Sequence, residues 1–163
     1  MTGEHNLTKA LRGLILRRRT AALATLGQDG EPFVSMVPFA VEPAEGQLII
    51  HISGLAAHTR NLEAHPSASL LIAEGEPAID EPVHALPRLT LQVEASTPSP
   101  NSPDHQRARQ AYLNRFPEAE PMTSLGDFRF VSLHVRSARQ VAGFGAARSL
   151  DGDEVRQALQ RAA

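Results

Sequence analysis

Apolar residues Leu7, Leu11, Leu14 and Ile15 recur at i, i+4, i+7 and i+8, with Lys9 and Arg12 elsewhere. This spacing predicts an amphipathic helix over residues 5–18. Strand-like runs follow. Thr20–Leu26 and Phe33–Val41 flank Asp29-Gly30, a strong hairpin signal. Pro38 marks an edge or a bulge in the return strand, because proline cannot donate to a ladder. Gln47–Ile52 is the third strand. After Ser53-Gly54 the chain is predicted to turn into a short helix that Pro66 stops. Ser67–Ala73 reads as a fourth strand, and Glu74–Pro87, with three prolines and four acids, as a surface loop. Leu89, Leu91, Val93 and Ala95 alternate strictly within Arg88–Ala95, the clearest strand of the chain. A proline-rich linker, 97–103, precedes a helix over 105–115 capped by Asp104. Asp127–Val135 and Arg139–Phe144 read as two final strands, and a short helix begins at Asp151 with Val155 and Leu159 to bury.

The resulting order is helix, three strands, helix, two strands, helix, two strands, helix. Hairpins dominate and strands do not alternate regularly with helices. That argues for a mainly β fold, an antiparallel barrel or sandwich with peripheral helices, over a doubly wound sheet. At 163 residues the chain is expected to form one domain, 1–163, with helix 5–18 as an N-terminal arm and 151–163 as a short C-terminal helix.

Composition narrows the chemistry. The chain has no cysteine, which excludes disulfides, thiolate metal sites and cysteine nucleophiles. A net charge of −2 gives no general reason to expect nucleic-acid or anionic-membrane partners. No apolar run resembles a secretory signal or a membrane span, so a cytoplasmic location is expected. Seven histidines invite a metal, but none forms an i, i+4 pair with a nearby carboxylate, and no metal site is expected. His58 and His65 lie about 10 Å apart by helix rise.

The strand-to-helix junction carries the clearest chemical signal. Ser53, His58, Thr59, Arg60 and Asn61 surround a helix start, where free N–H groups and the helix dipole suit an anion such as phosphate. An ordinary Ser-capped connection would look much the same. Gly143-Phe144-Gly145 begins like a dinucleotide fingerprint but lacks the later glycine. Two glycines around one aromatic at a strand end more often mean a bulge or a close backbone approach, and they would also let a flat ligand lie against the main chain. No residue stands out as catalytic.

Several stretches together resemble a known family. Arg19–Leu26, Asp29-Gly30-Glu31-Pro32 and Ser35-Met36-Val37-Pro38 are similar to the opening of the pyridoxamine-phosphate-oxidase-like, FMN-binding split-barrel family. Leu55–Leu62 with Pro66 and Ser69-Leu70-Leu71 resembles its haem-utilisation branch. So do Pro87–Leu91, Ala111-Tyr112-Leu113 with Phe116-Pro117, Gly126-Asp127-Phe128 and Val141–Gly145. The resemblance implies a six-stranded antiparallel split β-barrel that forms a homodimer, with FMN in clefts between the subunits. Carried over, the FMN-binding positions are Ser35, Met36, Val37, Ser53, His58, Thr59, Arg60 and Asn61, with Gly143, Phe144 and Gly145 closing the pocket from the partner chain.

The chain also departs from the family pattern. The oxidases carry arginine and lysine on the second strand where this chain has Ser35 and Ala40, and lysine where it has His58. Fewer fixed cations imply loosely held FMN and a reaction other than pyridoxamine phosphate oxidation. The haem-utilisation relatives bind haem through a histidine on a C-terminal loop, whereas no histidine follows His134 here. The expectation is therefore an FMN-dependent oxidoreductase acting on a small molecule. A haem-binding or haem-degrading protein and a non-catalytic split-barrel module are the alternatives.

Overall fold

The structure, a computed structural model, describes residues 2–162, with side chains from Asn6 onward. Eight strands form one antiparallel sheet that curls into a split barrel with helices outside. The strands are β1 (Thr20–Leu26), β2 (Pro32–Pro38), β3 (Ala40–Glu42), β4 (Gln47–Ser53), β5 (Ser67–Ala73), β6 (Arg88–Ser96), β7 (Phe128–Gly143) and β8 (Ala146–Asp151). Their spatial order is β2-β1-β5-β6-β7-β4-β3, and β8 pairs with the second half of β7. The helices are α1 (Thr2–Arg17), α2 (Ala57–Ala64), α3 (Pro103–Arg115) and α4 (Gly152–Gln160). Among the described residues no helix is long and apolar enough to cross a membrane.

The split-barrel expectation holds, with eight segments where six strands were implied. Part of the difference is one predicted strand broken in two. Pro38 ends β2, and Phe39, fully buried, turns its N–H to Arg19 O at 3.1 Å before β3 resumes at Ala40. The opposite change occurs at the end of the chain, where the two predicted strands are the single 16-residue β7. Its register against β6 slips between Gln92 and Val93, so that Arg136 is an unpaired bulge residue. A bulge breaks the two-residue side-chain period, and that interruption made one strand look like two.

Helix ends differ slightly from expectation. Ser102 caps α3, its side chain accepting from the His105 N–H at 3.1 Å, while Asp104 sits in the first turn against Arg107. Asp151 caps α4 as expected, and Glu154 answers it: each side chain accepts from the other's backbone N–H at 2.9 Å. That capping box lays Val155, Ala158 and Leu159 on the main core. The core is built from Leu11 and Ile15 of α1, Leu23, Leu70, Ile72, Leu89, Leu91 and the inner face of β4. The whole run Gln47–Ile52 is buried because its other face lies under α3, where Ile49, Ala108, Tyr112, Phe116 and Phe130 form a second, smaller core.

Candidate functional site

The junction between β4 and α2 is tightly knit. Ser53 Oγ donates to Asp127 Oδ2 at 2.9 Å and accepts from the Leu55 N–H at 3.1 Å. Thr59 Oγ1, 2% exposed for the residue, donates to Ser53 O at 2.5 Å. Arg60 folds back to Leu55 O at 2.7 Å, and Asn61 Nδ2 donates to Thr25 Oγ1 at 3.0 Å. Gly54 presents its N–H to Asp127 O at 2.5 Å, and a Cβ on it would stand 2.7 Å from Arg129 Nη2. The start of α2 is capped by Ala56, which has no side-chain hydrogen bond to offer.

Of the residues singled out from the sequence, the fold brings Ser35 and His58 into contact, with 3.0 Å between Ser35 Oγ and His58 Nδ1. Burial holds the His58 pKa below the usual imidazole value, which favours the neutral ring. Ser53 and Thr59 form a second pair, and Asn61 braces β1. Alternation along β2 sends Met36 to the opposite face from Ser35, and Val37 into the core at 2% exposure. Gly143, Phe144 and Gly145 make the β7–β8 turn. They lie at the far end of the 16-residue β7 from Phe128, the residue paired with Ser53. One protomer therefore does not gather them at the junction. Gly145, at φ +73°, adopts the left-handed conformation that the turn requires, and Phe144 is 91% exposed on it.

A cleft lies on the outer face of β2, β1 and β5. It is an open groove of about 410 Å³ lined by Ala22, Val34, Ser35, Met36, Leu71 and Arg18, among others. Val34, Met36 and Leu71 are exposed apolar side chains on its floor. Arg18 has no carboxylate partner among the described residues, and its Nε is buried without a hydrogen bond. Of these residues, only Ser35 and Met36 were nominated from sequence. The others were recoverable: pairing the strands through Asp29-Gly30 sets Ala22 opposite Met36 and Ala24 opposite Val34, which reveals a small-and-apolar outer face.

A second feature escaped the sequence analysis. His51 is buried, its ring stacked on Phe130 at 4.4 Å between centroids and flanked by Phe128 and Tyr112. Its Nδ1 has no partner. Burial first, and then the neighbouring His105, push its pKa down to about 4.

The profile of the family described as pyridoxamine 5'-phosphate oxidase matches residues 7–142, and the chain belongs to that family. Heme oxygenase HutZ of Vibrio cholerae is 34% identical over 139 residues, which is 85% of this chain and 77% of the relative. The non-canonical heme oxygenase HOZ, chloroplastic, of Arabidopsis thaliana is 35% identical over 142 residues, 86% of this chain and 41% of that one. Among solved structures, a heme binding protein from Mycobacterium smegmatis superposes with a TM-score of 0.81 at 28% identity, covering 92% of this chain and 60% of its own. The structure of HutZ, there called a heme storage protein, gives 0.69 at 32% identity, covering 77% and 87%. The chain thus spans less than half of HOZ and three-fifths of the mycobacterial protein.

These relatives overturn two expectations, the FMN-dependent oxidoreductase and FMN as the cofactor, in favour of the haem alternative. The junction supplies a physical reason. Ser53, Thr59, Arg60 and Asn61 spend polar groups on bonds within the chain, and the Asp127 carboxylate stands where a phosphate would need donors. A second anion beside a carboxylate is repelled.

Proposed function

We propose that this protein binds haem in the groove on β2, β1 and β5, and that a second copy of the chain covers the groove to complete the site. The observation that carries this reading is the exposed apolar floor of Val34, Met36 and Leu71 beside the uncommitted guanidinium of Arg18. A porphyrin is a flat apolar disc with carboxylates along one edge, so it calls for an apolar bed and a cation. The groove offers both, and its volume lies in the range of ligand pockets.

The open side of the groove argues for the dimer. A large apolar ligand on an uncovered strand face would leave its other face in water, and a partner protomer removes that cost. Phe144, carried on its glycine turn away from its own junction, is suited to reach across to the partner's groove. On this reading residues 1–163 form one split-barrel domain whose small-molecule ligand is haem. HutZ is named both a heme oxygenase and a heme storage protein, and haem binding is the step those two names share.

The test combines haemin titration with sedimentation. Wild type is expected to sediment as a dimer and to develop a shifted, saturable Soret band. Met36→Asp, which puts a charge on the groove floor, is expected to lose both. A monomeric wild type, or a Met36→Asp variant that binds haemin unchanged, contradicts the proposal.

A further inference from the structure

We propose that Met36 is an axial ligand of the haem iron in the groove, bonding it through its thioether sulfur. This inference rests on the haem reading above and identifies an iron ligand of that same site. Haem iron accepts a methionine thioether as an axial ligand, provided that the sulfur approaches the porphyrin through its face.

The position of Met36 meets that condition. On β2 it is paired with Ala22 of β1, and Ala22 is paired in turn with Leu71 of β5. The three residues form a row across the groove floor. Side chains on a strand stand roughly perpendicular to the sheet, so a flat ligand bedded on this floor meets them with its face. Met36 has the longest side chain of the row and is 66% exposed, and the single methyl of Ala22 beside it leaves room for a ring. β2 is the edge strand of the sheet, so no further strand of this chain crowds Met36. Methionine is unbranched, with three rotatable bonds and a soft, polarizable sulfur, so it can settle on a metal without a preformed cage.

The rest of the lining offers no comparable donor. Among the described residues the groove is lined by no histidine and no tyrosine, and the chain has no cysteine. The residues with side-chain oxygens that line it are Thr20, Ser35 and Glu74. Ser35 Oγ lies on the other face of β2, 3.0 Å from His58 Nδ1, so neither of those side chains lies on the groove floor. The Glu74 carboxylate accepts from Arg17 Nε at 3.1 Å. Thr20 brings a neutral hydroxyl, which is not among the usual ligands of haem iron. Of the other methionines, Met122 lies in the 3₁₀ segment Pro117–Ser124, outside the groove lining, and Met1 lies outside the described residues.

The experiment is iron-edge X-ray absorption spectroscopy of the haemin complex in thiol-free buffer, with haemin titration, on wild type, Met36→Leu and Met122→Leu. The chain has no cysteine, so a sulfur neighbour of the iron can come only from methionine. Wild type is expected to show that sulfur and to keep it from neutral to mildly acidic pH, because a thioether has no proton that competes with the metal. Met36→Leu keeps an apolar side chain of similar volume, so it is expected to bind haemin saturably and to lose the sulfur signal. Its haem reduction potential should also fall, since methionine ligation raises it. Met122→Leu is expected to match wild type in every readout. A Met36→Leu complex that keeps the sulfur signal, or a wild-type complex that lacks it, overturns this inference and leaves the haem reading standing. A wild type that binds no haemin overturns the haem reading and this inference with it.

Discussion

Ser53 Oγ donates a hydrogen bond to Asp127 Oδ2 across 2.9 Å, tying the end of β4 to the start of β7. The junction is therefore a self-satisfied brace around a carboxylate. Its two neighbouring bonds should differ in worth. The Ser53–Asp127 bond is exposed, whereas Asn61 serves the hydroxyl of Thr25, which is 2% exposed. Asp127→Asn is expected to change unfolding free energy by less than about 1 kcal/mol, and Asn61→Ala to cost about 1–3 kcal/mol. Urea denaturation of both variants checks this, and equal effects would refute it.

Acid should weaken the fold through His51. Its pKa is about 4 in the folded protein against an ordinary 6.5. Between those values the unfolded chain binds the extra proton, so stability is full above pH 6.5 and is lost as pH falls toward 4. At about 1.4 kcal/mol per unit the loss approaches ~3 kcal/mol. Other groups titrate too, so the useful readout is a difference. His51→Phe is expected to lose less stability than wild type between pH 7 and pH 4.5, by roughly 2–3 kcal/mol. Parallel pH profiles for the two proteins would count against the assignment.

The seat of α4 depends on a close approach at Gly152. A Cβ there would stand 2.5 Å from Val135 O and 3.0 Å from Arg136 O, both backbone atoms of β7 that cannot swing aside. Gly152→Ala is expected to cost about 1–3 kcal/mol, as overpacking does. Thermal unfolding measures it, and an unchanged midpoint would show that the helix shifts freely.

Arg18 tests the polar end of the groove. Arg18→Ala is expected to weaken haemin binding about tenfold, in line with the ~1.5 kcal/mol of a charge-assisted bond. Arg18→Lys should recover part of it. Arg139→Ala, whose side chain bonds Ser149 at 3.2 Å on the β7–β8 pair, should change binding little. Equal losses from Arg18→Ala and Arg139→Ala would mean that the effect is one of overall charge.

Much of this architecture was legible in the sequence. The Asp29-Gly30 hairpin, the alternating strand at Arg88–Ala95 and the Asp151 cap each carry a local signal, and the fold follows them. The single strand β7 was obscured by its Arg136 bulge, since period-two patterning cannot see across an extra residue. At the junction the sequence shows the residue types but not their hydrogen-bond commitments. Hydroxyl, imidazole and guanidinium groups together suggest phosphate, but only coordinates reveal that Ser53 faces Asp127 and Arg60 faces Leu55 O. His51 was overlooked because one histidine in an apolar strand gives no hint that its Nδ1 has no partner.

The most direct test of the central claim is a pair of titrations on the same purified protein, haemin followed by absorbance and FMN followed by flavin fluorescence. The groove and the carboxylate-braced junction call for a saturable haem spectrum and unquenched flavin. Saturable flavin quenching without a haem band would contradict the account.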